Sequence, residues 1–407
     1  MIPVTKSGPE AVLPGAREEQ AREGAHPRPS WIERLRRITR DGRWIPEIDS
    51  LRFIAIVSVV AFHMHRELLL RSGRVVPVQA RYSGLANLLD NGNRGVQLFF
   101  VISGFILGLP FARQWLKAGK PVALGKYFLR RVTRLEPPYI ASYLVAIVLF
   151  GVFTRGAGMT RVYLEHLAAG MVYLNGLIFR DFNPVNSVTW SLEIEIQFYL
   201  VAPLLALLFR IRNAALRRTT LVLSMAALGV AQITIMQSNA LLRFTVLFYA
   251  QYFLAGLLLA DLYLSGLPRA SAWWDALAVP GWFAYFTVNN AWSDAWFPFL
   301  LILLCMAAMR SRLLRWFFGN PWVAIVGGMC YSIYLLHFLL IAVFFKVTRR
   351  FIVPQDYLAT FAIQMVVTIV PVLLLCAVYY IWVERVCMDP DWPSKLATWM
   401  RGGSART

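Results

Sequence analysis

Arg52 and His63 are a permanent cation and an imidazole set in one apolar run that opens at Asp49. Eleven helical steps separate them. That returns the helix to about 20° from its start and sets the two side chains roughly 16 Å apart along its axis. A neutral imidazole can take a proton from a hydroxyl and return one to a leaving group. An arginine can hold a phosphate or a carboxylate. The plainer reading is an arginine that anchors a helix end and an interior histidine bonded to another helix. Spacing by itself leaves both open.

Other polar groups interrupt apolar runs in the same way. Asn186–Tyr199 contains Trp190, Glu193, Glu195 and Gln197. Carboxylates there are hard to explain by packing: Glu195 can orient His63 or an incoming hydroxyl, and a solvent-facing position is the plainer reading open to both glutamates. A second intramembrane histidine, His337, follows Tyr331 and Tyr334; a ligand contact and a structural hydrogen bond are both open to it. Ser103-Gly104 permits close helix approach. Arg130, Arg131 and Arg134 end a basic stretch, where they either clamp phosphates or mark the cytoplasmic side. Pro137 and Pro138 suit the start of the next helix.

The elements that must carry these groups are membrane spans. The 407-residue chain is 58% hydrophobic and only 15% charged, with a mean hydropathy of +0.55; soluble chains are nearer a quarter charged. Bilayer-length apolar runs recur near 50–69, 95–112, 138–154, 188–209, 219–236, 242–264, 272–289, 295–309, 321–345 and 357–383. The expected fold is an all-α transmembrane bundle of about ten spans, with 162–179 as an extra re-entrant or interfacial segment. The segment 113–134 holds seven basic residues and no acid, 210–218 four arginines and 310–315 three. Placing all three in the cytoplasm puts both termini there. Residues 66–94, with five arginines against two acids, then fall outside, as do Lys346, Arg349 and Arg350; they either break the charge rule or serve an acidic ligand.

Residues 1–45 read as a basic cytoplasmic extension, disordered over 1–30 by composition and carrying Arg34, Arg36, Arg37, Arg40 and Arg43. Residues 46–386 form the membrane domain and 387–407 a short tail. The net charge of +19 fits basic loops between spans, and no nucleic-acid partner is expected. Cys305, Cys330, Cys376 and Cys387 show no metal-ligand spacing. They read as small hydrophobes, and no metal is expected.

The combined pattern resembles the membrane-bound acyltransferase 3 family. The resemblance covers roughly residues 46–386. It rests on Arg52-x10-His63, Gly95–Phe105, Arg131-x-x-Arg134, Trp190–Tyr199, Tyr331–His337 and Glu384-Arg385. Three positions depart from the family pattern: Gln97 stands where many relatives carry an acid, Ile196 replaces a frequent second glutamate, and Val386-Cys387 replaces Pro-Phe.

The resemblance implies an O-acyltransferase using cytosolic acyl-CoA as co-substrate, acetyl by default, with no permanently bound cofactor. The acceptor is a hydroxyl of a sugar or glycoconjugate. It puts Arg52 and His63 on the catalytic pair, joined by Glu195, and Arg131 and Arg134 with Arg52 on the donor. Trp190, Gln197 and His337 fall to the acceptor. The implied location is the plasma membrane. No second folded domain follows the last span in this sequence, so the membrane domain is expected to work alone or with a partner. A transporter or flippase of a lipid-linked glycan is the alternative, since intramembrane charge suits it too; it often shows internal repeats, and no convincing repeat is seen.

Overall fold

A computed structural model describes residues 45–72, 78–153 and 161–400. The basic extension before residue 45 and the last residues of the tail lie outside them, as does Arg74. Among the described residues the chain is helical, with no β-strand. Eight helical stretches are long and apolar enough to cross a membrane, so the protein is a multi-pass membrane protein.

The first helix, α1, runs unbroken over Pro46–Ser72. Proline suits its first turn, and Glu47 and Asp49 complement the positive helix end there. One continuous helix therefore carries both Arg52 and His63. The second, α2, spans Gly95–Leu116 and crosses the helix Ala250–Ser265 backbone to backbone. A Cβ on Gly256 would stand 2.2 Å from the Val101 carbonyl oxygen, and one on Gly104 would stand 2.3 Å from that of Phe253. Glycines at both positions let the two helices touch.

Two expected boundaries differ. Leu124–Phe153 is a single helix, α3, although its first half was expected to be loop and its prolines to start a helix. Pro137 and Pro138 have no N–H, so the carbonyls one turn earlier lose their usual partners. Donors from elsewhere line this stretch. Trp392 Nε1 donates to the Thr133 carbonyl at 3.0 Å, Tyr331 to that of Leu135 at 3.0 Å, and Tyr379 to that of Pro138. The prolines are thus absorbed inside the helix. The run 321–345 is also divided: Pro321–Gly328 is followed by α4, Cys330–Thr348. A Cβ on Gly327 would overlap the Asp49 carbonyl oxygen at 1.7 Å, so the short helix presses against the start of α1.

The apolar segment 162–179 forms two short helices, Arg161–Met171 and Asn175–Phe179. Eleven residues rise only about 16 Å, half the hydrocarbon thickness. Neither piece can cross. Glu193 is buried beside them, and its Oε2 accepts the Gly176 N–H at 2.8 Å, which ties this segment to the helix Trp190–Leu205.

Candidate active site

A cavity of about 780 Å³ opens at the Arg52 end of α1. Its walls carry the cations Arg52, Arg113, Lys120, Lys126, Arg130, Arg131 and Arg134, against the acids Asp49, Glu195 and Glu384. Lys120 and Lys126 are exposed at its mouth; Phe99, Phe100 and Ile106 supply apolar wall further along. The chain thus gathers five arginines from α1, α2 and α3 around one space.

Several of these charged groups are held. Arg52 donates to Asp49 Oδ1 at 2.7 Å, one helical turn back. Arg131 donates to the Tyr127 carbonyl at 2.7 Å. Its guanidinium carbon lies 3.5 Å from the centre of the Tyr127 ring and 5.6 Å from that of Tyr199. These faces support the charge by cation–π attraction. Arg131 Nε is buried with no hydrogen-bond partner, so the fork is fixed in place with donor capacity left over. Glu195 accepts from Ser103 Oγ at 2.5 Å and from the Tyr199 hydroxyl at 2.7 Å. Its carboxylate sits with the arginine cluster, and no hydrogen bond joins it to His63. Glu384 accepts both the Ser332 N–H at 2.9 Å and its hydroxyl at 2.5 Å.

His63 is not part of the cavity wall. It packs instead against α4, with ring centroids 5.1 Å from His337 and 5.2 Å from Phe338. Phe62 covers another side at 5.0 Å. No side chain among the described residues hydrogen-bonds the His63 ring nitrogens. Tyr334, one turn before His337 on α4, does line the cavity. Its hydroxyl donates to the Val188 carbonyl at 2.5 Å and meets Ser191 Oγ at 3.1 Å. Tyr334 therefore borders the basic cavity one helical turn from His337.

The remaining expected residues lie apart from this centre. Gln197 donates to the Phe244 carbonyl at 3.0 Å and accepts the Val246 N–H at 2.9 Å. Both ends of its amide hold the 242–249 connector. Trp190 packs on Tyr249, with centroids 5.5 Å apart. The basic stretch 66–94 is largely occupied internally. Arg94 is buried and donates to the carbonyls of Tyr285 and Val288 at 2.7 and 2.8 Å. Arg66 faces Asp90 at 3.7 Å and Arg71 pairs with Glu67.

Two features escaped the sequence reading. Tyr127 as the platform under Arg131 was available from its four-residue spacing, once that stretch is helical. The contact of His63 with His337 had no such signal, because it depends on how two distant helices face each other.

Comparison with known proteins gives the family of the chain. A family profile described as an acyltransferase domain, acyltransferase 3, matches residues 45–381. An O-acetyltransferase OatA of Staphylococcus aureus (strain NCTC 8325 / PS 47) is 25% identical over 331 residues, 73% of this chain and 50% of the relative. The peptidoglycan O-acetyltransferase OatA of Listeria monocytogenes is 27% identical over 186 residues, 43% of this chain and 26% of the relative. The chain thus spans half or less of the length of these relatives. No solved structure matches.

Proposed function

The chain belongs to the acyltransferase 3 family, and on that premise we propose that it transfers an acetyl group from a cytosolic acyl-CoA to a hydroxyl of a cell-envelope sugar or glycoconjugate. The observation that carries this reading is the basic cavity beside the first span, with the His63 pair just beyond it. Coenzyme A is an anionic nucleotide with a long neutral arm. Five arginines in the wall of a cavity of about 780 Å³ suit the former, and the apolar wall suits the latter.

In this reading Arg131, Arg134 and Arg52 hold the phosphates, and the acyl arm extends along α1 toward Tyr334 and His63. His63 takes the proton of the acceptor hydroxyl as its oxygen bonds to the acyl carbon. The carbon–sulfur bond breaks and the departing thiolate is protonated. Glu195, engaged by Ser103 and Tyr199, acts on the donor side by keeping the arginines in register. His337 and Trp190 flank the route to the acceptor, and Gln197 shapes that wall through the 242–249 connector. The relatives named for O-acetylation, one of them on peptidoglycan, favour an envelope glycan as acceptor. Both termini then face the cytoplasm of a plasma-membrane enzyme.

Purified protein supplied with labelled acetyl-CoA and a panel of glycan acceptors tests this. Acetyl transfer that disappears in His63→Ala, with normal membrane insertion, is the expected result. Full transfer by His63→Ala would end the proposed role of the imidazole. A wild-type protein that moves a lipid-linked glycan across vesicles but never consumes acetyl-CoA would replace the reading with transport.

A further inference from the structure

His337 is fully buried on α4. Its Nδ1 lies 2.8 Å from the Ile333 carbonyl oxygen and 2.9 Å from that of Tyr334. Carbonyl oxygens only accept, so Nδ1 must carry the hydrogen. In the neutral ring this leaves Nε2 as a bare lone pair. Nε2 is buried and has no hydrogen-bond partner. A buried acceptor without a donor is uncommon in folded proteins and calls for an explanation.

The polar side chain packed against that ring is His63, with centroids 5.1 Å apart and planes tilted by 56°. At that separation facing ring edges come to hydrogen-bond length after a small rotation. Phe338 meets the His63 ring at 73° and Phe62 at 70°, so apolar edges occupy two of its other sides.

We propose that His337 is a positioning residue for His63: its bare Nε2 accepts the N–H of one His63 ring nitrogen and so leaves the other His63 nitrogen unprotonated toward the acceptor hydroxyl. The backbone carbonyls of α4 fix the tautomer of His337, and His337 in turn fixes the tautomer of His63. During transfer the hydroxyl proton goes to the free nitrogen of His63 while the oxygen bonds to the acyl carbon. The carbon–sulfur bond then breaks, and the thiolate takes that proton. His63 ends neutral, and the hydrogen it shares with His337 stays in place throughout. The role of His63 as base rests on the acyl-transfer reading; the pairing of the two rings does not.

The test therefore has one arm that needs no transfer activity. Detergent-purified wild type, His337→Phe and His337→Gln are treated with diethyl pyrocarbonate, and the rate of His63 carbethoxylation is followed by peptide mass spectrometry. The phenylalanine keeps bulk but offers no acceptor, whereas the glutamine carbonyl restores one near the Nε2 position. His63 should react severalfold more slowly in His337→Phe and near the wild-type rate in His337→Gln. Equal rates in all three proteins would overturn the pairing, whatever the transfer assay gives. In the second arm, kcat for acetyl transfer should fall roughly a hundredfold in His337→Phe, with the donor KM unchanged and substantial recovery in His337→Gln. Equal loss of kcat in both variants, together with lowered melting temperatures, would assign His337 a structural role and also overturn the proposal. If wild type shows no transfer while the modification pattern holds, the pairing stands and the acyl-transfer reading falls.

Discussion

Arg131 shows how a guanidinium can be kept ready inside a bundle. Its charge rests on the Tyr127 and Tyr199 rings, and one hydrogen bond fixes the fork while Nε stays unpartnered. Lysine would keep the charge but lose the planar stacking. Arg131→Lys and Arg131→Ala should therefore both weaken binding of a coenzyme A analogue, by on the order of tenfold for the alanine. Isothermal titration of detergent-solubilised protein measures this; an unchanged affinity in Arg131→Ala removes the residue from the donor site. Glu195 gives a different contrast. Removing its carboxylate leaves the hydroxyls of Ser103 and Tyr199 without an acceptor. Glu195→Ala should cost about 1–3 kcal/mol of stability, read as a lower melting temperature, while Glu195→Gln keeps an acceptor and should melt closer to wild type. The sequence made Arg52, His63, Glu195, Arg131 and Arg134 legible as chemistry-bearing because ionisable groups stand out in apolar runs. It did not pair them. Glu195 looked like a partner for His63 and lies instead with Ser103 and Tyr199, since its rotation about its own helix was known but the facing of that helix was not.

Helices were legible where one physical signal dominated. The apolar run of α1 gave an unbroken element, so the eclipsing of Arg52 and His63 followed from pitch alone. In α3 two signals competed. Basic residues argued for a loop and paired prolines for a helix start after it, but side chains far away in sequence line the region where the prolines leave carbonyls without their usual partners. Ser103-Gly104 was read as a close-approach element, and its partner, Gly256, emerged only in three dimensions. That crossing should be intolerant of volume. Gly256→Val should abolish accumulation of folded protein in the membrane, because even a Cβ meets the Val101 carbonyl at 2.2 Å. Gly125→Ala, where nothing lies within 4 Å of the added carbon, should stay within about 1 kcal/mol of wild type. Fluorescence-detected size exclusion of both variants checks the pair.

The whole molecule was legible in outline, as a polytopic bundle with one non-crossing apolar segment, because bilayer thickness sets span length. Its orientation rests on charge. The 117–123 connector and the helix Trp392–Met400 both lie at the Arg52 end, the latter tied to α3 through Thr133. The segment around Arg81 follows the far end of α1. Single cysteines at Lys120 and Ser394 should therefore be protected from a membrane-impermeant maleimide in intact cells, and one at Arg81 should react. The opposite pattern would invert the topology and move the donor cavity to the outside.

Tyr334 lines the basic cavity but neither histidine of the pair does, and this has an electrical consequence. A space that opens to one aqueous side carries the potential of that side deep into the bundle. Part of the voltage across an energised membrane then falls beyond that space, over the region of His337 and His63. A full membrane potential of 100 mV corresponds to about 2.3 kcal/mol per elementary charge moved across it, and a proton shifted at His63 would sense part of that field. The turnover of this protein in polarised vesicles should then depend on the sign of the voltage, an influence that measurements in detergent do not reveal.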